Sequence, residues 1–292
     1  MENKLNTSLF KTIPALIKYK VSMAVTFTAV VGYIVFTGSF DFRILYLALG
    51  VFILAGGSST LNQLQERKYD AKMDRTRRRP LPAGAINPTK ALLISVLLIF
   101  TGLFLLYIFF NAVAVLLGLF NIIWYNLLYT NLKKVTPFAV VPGSLTGAVP
   151  VLIGWTAAGG YLFDTSIIFI AFFLFIWQIP HFWLLMLKYA KEYETAGFPT
   201  ISQVVNPKNL KMIIFSWIMA TSVASVMVTL FMVNRSLAFF AVVFLLNILF
   251  VGIFTKLTFG NIPDLNLKKS FISINVYMFI FMIILVVYHL GS

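Results

Sequence analysis

Ala91–Leu132 reads ALLISVLLIFTGLFLLYIFFNAVAVLLGLFNIIWYNLLYTNL, 42 residues without a charge. An α-helix needs about 20 mostly apolar residues to cross the hydrocarbon core of a bilayer. The stretch is about twice that length, so it predicts two helices folded back on each other, with the turn near Asn111. Seven more uncharged stretches are each of single-span length: Val21–Phe40, Ile44–Gln65, Val135–Phe163, Thr165–Leu187, Met212–Asn234, Ser236–Thr255 and Ser270–Ser292. The prediction is an all-α, polytopic membrane protein of nine transmembrane helices. Helices are expected because lipid offers no partner to an unpaired backbone polar group.

The charges around these stretches set the orientation. With the N-terminus inside, 21 of the 23 Lys and Arg residues fall on the cytoplasmic side, and only Arg43 and Arg235 fall outside. This asymmetry is the positive-inside pattern, and an odd number of spans before Lys133 would break it. The net charge of +14 therefore follows a membrane topology and gives no reason to expect nucleic acid. Composition agrees, with 60% hydrophobic and 11% charged residues, against about 25% charged in soluble domains. No polar linker divides the chain, so residues 1–292 read as one membrane domain. Met1–Lys20 lacks the features of a secretory signal. The absence of cysteine excludes disulfides, thiolate metal sites and a thiol nucleophile. Two long basic loops, Glu66–Lys90 and Lys188–Lys211, follow the second and sixth spans. Their spacing suggests two four-helix halves plus a final helix.

The second span ends in a chemically dense segment, LNQLQERKYDAKMDRTRRRPLP (residues 61–82). Asn62, Glu66 and Asp70 stand four apart and share a helix face, over about 12 Å of axis at 1.5 Å per residue. Three oxygen-bearing side chains in a row suit Mg²⁺, which is held by one or two carboxylates together with substrate phosphates. Lys72, Arg75 and Arg77–Arg79 lie beside them, and guanidinium forks pair with phosphate oxygens. A basic run after a span can instead be a topology signal or a contact with anionic lipid. The acidic row is harder to read that way. Three of nine acidic residues in the chain cluster at this helix end, and Asn62 and Glu66 sit where polar groups are costly.

These residues resemble a known family. The Asn62-x3-Glu66-x3-Asp70 row is similar to the first aspartate-rich motif of the UbiA superfamily of intramembrane prenyltransferases. Residues 73–82, MDRTRRRPLP, resemble the M-x-R-T-x-x-R-P-L-P motif of its protohaem IX farnesyltransferase branch. Leu16–Lys20 is similar to the L-x-K-P-R that opens the first span there. Tyr129–Pro137 resembles the Y-T-x-x-K-R-x-T-P loop. Trp177–Trp183, followed by Glu192–Pro199, resembles the W-x-x-P-H-F-W and D-Y-x-x-A-G-x-P-M pair. In this chain Tyr19 stands for Pro, Lys20 and Lys134 for Arg, Glu192 for Asp, and Thr200 for Met. The second D-x-x-x-D row of quinone-type members is missing. His181, Lys188, Glu192 and Glu194 stand in that region instead, which favours the haem branch over an aromatic, quinone-precursor acceptor.

The resemblance implies a UbiA-type bundle in a bacterial inner membrane, with its active site on the cytoplasmic side. It implies farnesyl diphosphate and haem B as substrates, haem O as product, Mg²⁺ as cofactor, and a downstream haem A synthase or oxidase assembly as partner. Asn62, Glu66 and Asp70 would hold the metal. Lys20, Lys72, Arg75, Arg79, Lys133, Lys134 and the Tyr129 hydroxyl would bind diphosphate. His181 could ligate haem iron, bind a propionate, or assist proton transfer. Lys188 and Glu192 are expected either in a second binding site or as a simple helix-face pair. Trp124, Trp155, Trp177 and Trp183 are candidates to face an allylic cation. The small-residue run Ala55–Thr60, and Gly143, Gly147, Pro150 and Gly154, read either as close helix packing or as space for the prenyl chain.

Overall fold

The computed structural model describes residues 9–232, 236–259 and 266–291, so Arg235 lies outside the described residues. A short helix α1 (Leu9–Leu16) precedes the first span, α2 (Tyr19–Thr37). The second span is α3 (Arg43–Asp70). The long uncharged stretch divides as predicted, into α4 (Pro88–Phe109) and α5 (Ala112–Ile123). Asn111 makes the turn. Its side-chain oxygen accepts from Ala114 N at 3.0 Å, and its amide donates to Thr156 O at 2.6 Å. The fourth span continues through a π-helical turn, Trp124–Tyr129, into α6 (Thr130–Leu132). The fifth is assembled from a 3₁₀ turn (Pro137–Ala139), α7 (Val140–Gly143) and α8 (Leu145–Ala157).

The sixth span, α9 (Thr165–Lys188), leads into two short helices, α10 (Ala190–Ala196) and α11 (Ile201–Val204). The last three spans are α12 (Pro207–Phe231), α13 (Leu237–Phe259) and α14 (Leu267–Leu290). Nine candidate spans therefore lie among the described residues. Asn87, Asp164, Asn206 and Asn266 cap the spans they precede, each accepting from a backbone N–H of the first turn.

Span 3 packs along span 2, span 5 along span 1, and span 9 contacts both span 1 and span 6, closing the bundle. One buried apolar cluster joins spans 1 to 5. A second joins spans 1 and 5 to spans 6 to 9. Small residues allow the closest approaches. A Cβ on Gly57 would lie 2.8 Å from the backbone N of Ile99, and one on Gly154 would lie 1.7 Å from Ala29 O. Both glycines are therefore packing residues.

At 28 residues, α3 is about 42 Å long at 1.5 Å per residue, against about 30 Å of hydrocarbon. Its last turns carry Asn62, Glu66 and Asp70 and are packed against Thr130, Arg79 and Lys133.

Candidate functional site

The row on α3 is buried. Asn62, Glu66 and Asp70 are 1%, 5% and 1% exposed. Each is met by a group from another element. Lys18 Nζ donates to Asn62 Oδ1 at 2.7 Å, and Asn62 Nδ2 donates to Thr130 Oγ1 at 3.0 Å. Lys133 Nζ pairs with Glu66 Oε1. Arg79 donates from a guanidinium nitrogen to Asp70 Oδ2 at 2.8 Å. Three basic side chains thus converge on one amide and two carboxylates.

Local backbone features aim these side chains. Lys18 sits at the break between α1 and α2, with φ of 47°, the only positive φ at a non-glycine among the described residues. Such a conformation costs about 1–3 kcal/mol and persists only where its surroundings hold it. Here Gln63 Nε2 donates to Ala15 O and Leu16 O at 2.8 and 2.6 Å, and Ser22 Oγ donates to Ile17 O at 2.8 Å. The π-helical turn, a feature often found at functional sites, leads directly into Thr130, which meets Asn62 on α3. Asn126 fixes the turn there through bonds with Ser58 and Gln65. Thr130 Oγ1 donates to Tyr125 O at 2.9 Å.

The electrostatics match this crowding. Burial, followed by repulsion from Arg79, lowers the Lys18 ammonium to a pKa of about 7 despite the attraction of Glu66. Burial also acts against the Lys133 charge, but the Glu66 carboxylate outweighs it and holds Lys133 protonated well above the ordinary lysine range.

The two long loops close over this cluster. Met73, Ala196 and Phe198 form a small buried core flanked by Tyr69 and Tyr193. Glu192 Oε2 accepts from Arg75 N at 2.9 Å. The Arg75 guanidinium lies over Tyr189 and Tyr193 at 4.8 and 5.8 Å. Glu192 therefore bridges the two loops and makes no helix-face pair with Lys188, which ends α9 while Glu192 lies in α10.

The expected diphosphate ligands divide by position. Arg79 and Lys133 are in the cluster. Tyr129 borders it, with its ring 5.3 Å from Lys133 Nζ and stacked on Phe182 at 5.9 Å. Arg75 and Lys134 lie at the rim, Lys134 over the Tyr69 ring. Lys20 and Lys72 are exposed, and of Leu16–Lys20 it is Lys18 that reaches the row. The helix break at Lys18 accounts for this, since it turns the first basic residue of Leu16–Lys20 inward and the second outward. Lys18 and Thr130 stood in motifs quoted above, so their signal was present, whereas Asn126 carried none beyond being polar in a span.

All four candidate tryptophans give their indole N–H to backbone carbonyls: Trp124 to Pro142, Trp155 to Tyr161, Trp177 to Ile274 and Trp183 to Pro137. Trp155 packs on Phe36, at the opposite end of the bundle from the row. His181 lies among Trp177, Phe182 and Phe271, with ring centroids at 4.8, 5.6 and 5.0 Å.

The donor set fits Mg²⁺. Among the described residues no three His, Cys, Asp or Glu side chains gather as a closed metal cage. Two carboxylates and an amide oxygen, ringed by cations, instead match an ion that takes its remaining ligands from phosphate.

Comparisons with known proteins bear on the fold and the family. Residues 24–287 match the UbiA prenyltransferase family. A protohaem IX farnesyltransferase of Geobacter sulfurreducens is 46% identical over 156 residues, covering 53% of this chain and 57% of that protein. Those of Oleidesulfovibrio alaskensis (31% identical, 76% of this chain and 79% of that protein) and Bartonella bacilliformis (36%, 73% and 68%) align over longer stretches. The alignment thus spans little more than half of the first relative and over two thirds of the other two. Among solved structures, a digeranylgeranylglyceryl phosphate synthase superposes with a TM-score of 0.78 at 17% identity, over 97% of this chain and 99% of that one. A UbiA homologue from Archaeoglobus fulgidus, solved with GPP and Mg²⁺, gives 0.74 at 15% identity, over 96% of this chain and 100% of that one. At such identity these two establish the fold, while the matched residues and the longer alignments establish the lineage: the chain belongs to the UbiA prenyltransferase family, in its protohaem IX farnesyltransferase branch.

Proposed function

We propose that this protein is a protohaem IX farnesyltransferase, a single-domain enzyme working at the cytoplasmic face of a bacterial plasma membrane. The observation that carries the reading is the convergence of Lys18, Arg79 and Lys133 on Asn62, Glu66 and Asp70. Basic groups beside buried carboxylates make a site for a metal and a polyanion together. The positive-inside pattern of the charges supports a cytoplasmic position for this end. The relatives' names supply the donor and the acceptor.

In this reading Asn62, Glu66 and Asp70 hold Mg²⁺. The chemistry a bound Mg²⁺ supplies is neutralisation of the charge that gathers on the leaving diphosphate. Lys18, Arg79 and Lys133 turn from the row to the phosphate oxygens, where preorganised cations stabilise developing charge. Arg75 and Lys134 guard the rim, and the cap of Met73, Tyr193 and Phe198 limits water. The bond between farnesyl C1 and the diphosphate oxygen breaks, and its electron pair leaves with diphosphate. Farnesyl C1 bonds to the terminal carbon of a haem B vinyl group. Water adds to the other vinyl carbon and loses a proton, giving haem O. Tyr125, Tyr129 and Phe182 offer ring faces to the positive charge in transit. Haem O then passes to a haem A synthase or to oxidase assembly.

The test uses purified protein in detergent with farnesyl diphosphate, Mg²⁺ and haem B, followed by mass spectrometry. Farnesylated, hydrated haem is the expected product. Prenylation of a hydroxybenzoate or naphthoate and not of haem would overturn the reading in favour of an aromatic-acceptor enzyme.

A further inference from the structure

Phe198 fills the unspecified position of the A-G-x-P segment in Glu192–Pro199, yet its ring reaches the diphosphate cluster. The local sequence aims it. Gly197 follows α10 with φ of 91°, a conformation that glycine adopts without strain. Its N–H donates to Glu194 O at 2.9 Å, and the Phe198 N–H donates to Tyr193 O at 2.9 Å. This pair of bonds is the Schellman ending of a helix, in which the residue after the glycine folds back onto the last turn. Phe198 does so and meets the Tyr193 ring edge-on at 5.7 Å.

Turned this way, Phe198 is 5% exposed and packs on Tyr69 at the end of α3, with ring centroids 4.7 Å apart. Its ring centroid also lies 5.8 Å from Lys133 Nζ. The Tyr129 ring lies 5.3 Å from the same atom. Lys133 therefore has Glu66 as its ion-pair partner and two rings within the distance at which an aromatic face attracts a cation. The next residue, Lys134, lies 5.6 Å from the Tyr69 ring that Phe198 packs on. The Phe198–Lys133 contact joins the second loop to the cluster itself, whereas Glu192 binds Arg75 at the rim.

We propose that Phe198 is a positioning residue for diphosphate capture, its ring steadying the Lys133 ammonium and thereby coupling the second loop to the charge of the cluster. The assignment rests on the farnesyl diphosphate reading above. A ring face attracts the ammonium without neutralising it, so the charge stays available when diphosphate replaces Glu66 as its partner. The coupling works in both directions. The ring holds the cation in place, and the cation gives the loop a tie that packing on Met73 and Tyr69 does not supply.

The experiment replaces Phe198 with mono-, di- and trifluorophenylalanine in purified full-length protein in detergent. The series nearly keeps the size of the ring while draining negative charge from its face. The kcat/KM for farnesyl diphosphate is expected to fall stepwise, by about fivefold over the series, the scale of one cation–π contact. The same series at Phe100, exposed on α4, should have no effect. A second readout needs no substrate. Hydrogen exchange at the Gly197 amide should quicken along the series. It should cease to respond in the double variant Glu66→Gln with Lys133→Gln, which removes both charges together. A flat kcat/KM, with wild type still farnesylating haem, overturns the positioning role and leaves the proposed activity standing. Exchange that responds equally with and without the two charges makes Phe198 a packing residue and overturns the coupling. A wild type that turns over no farnesyl diphosphate overturns the proposed activity, while the exchange readout still decides the coupling.

Discussion

Lys18 reaches from the break between α1 and α2 to donate from Nζ to Asn62 Oδ1 at 2.7 Å, across 44 positions of sequence. Its backbone is held in the left-handed region to do so. A half-buried lysine held in the left-handed region against a metal-ligand candidate is a preorganised phosphate donor. Removing one such charge-stabilising group typically costs about 10²–10³ in rate. Lys18→Ala should therefore lower kcat/KM for farnesyl diphosphate by about 10². Lys20→Ala, at an exposed position, should stay within about threefold, the scale of an exposed charge contact. Steady-state kinetics on both variants checks this contrast.

Glu66 and Lys133 form a buried pair, 7% and 19% exposed at the side chain. Removing one partner leaves the other charge uncompensated, at a cost of about 3–5 kcal/mol. Glu66→Gln should lower the thermal unfolding temperature sharply. The double variant Glu66→Gln with Lys133→Gln should recover part of the loss. A double-mutant cycle in detergent measures the coupling, and additive losses would mean that the pair is not stabilising.

Tyr129 is wedged between Phe182 and Gly143. A Cβ on Gly143 would lie 2.4 Å from the Tyr129 ring, which also stacks on Phe182. Gly143→Ala must displace the ring, at an overpacking cost of about 1–3 kcal/mol, and should cut turnover. Gly252→Ala meets open space and should change neither property. Parallel melting and activity assays separate the two.

Glu192 joins the loops by accepting the Arg75 N–H at 2.9 Å. Glu192→Ala should leave the spans intact but loosen the 71–86 loop. Hydrogen exchange at the Arg75 amide should accelerate, and limited proteolysis should cut nearer that residue. Unchanged protection would mean that the aromatic contacts alone hold the cap.

The spans were legible because hydrophobic length is a direct consequence of the bilayer, and Asn111 marked the hairpin because a polar cap sits between two apolar runs. The α3 row was legible because helical periodicity is local. The cations that complete it were only half legible. Arg79 and Lys133 stand beside the row, whereas Lys20 is exposed and Lys18, with its left-handed backbone, is the residue of Leu16–Lys20 that meets Asn62. The π-helical turn at Trp124–Tyr129 depends on Asn126 bonding to Ser58 and Gln65 on another helix, and no local pattern announces that. Arg75 sits at the rim because aromatic rings from a loop more than a hundred residues away attract it.

Asp70 offers the most direct test, since it is 1% exposed and bound to Arg79 at 2.8 Å. Asp70→Asn keeps its shape and removes one charge from the row. Turnover of wild type and Asp70→Asn would be compared at saturating Mg²⁺, farnesyl diphosphate and haem B, by mass spectrometry of the product, with monodispersity as the check on folding. The account predicts a folded variant that makes no farnesylated haem. A folded Asp70→Asn that turns over at the wild-type rate would contradict it.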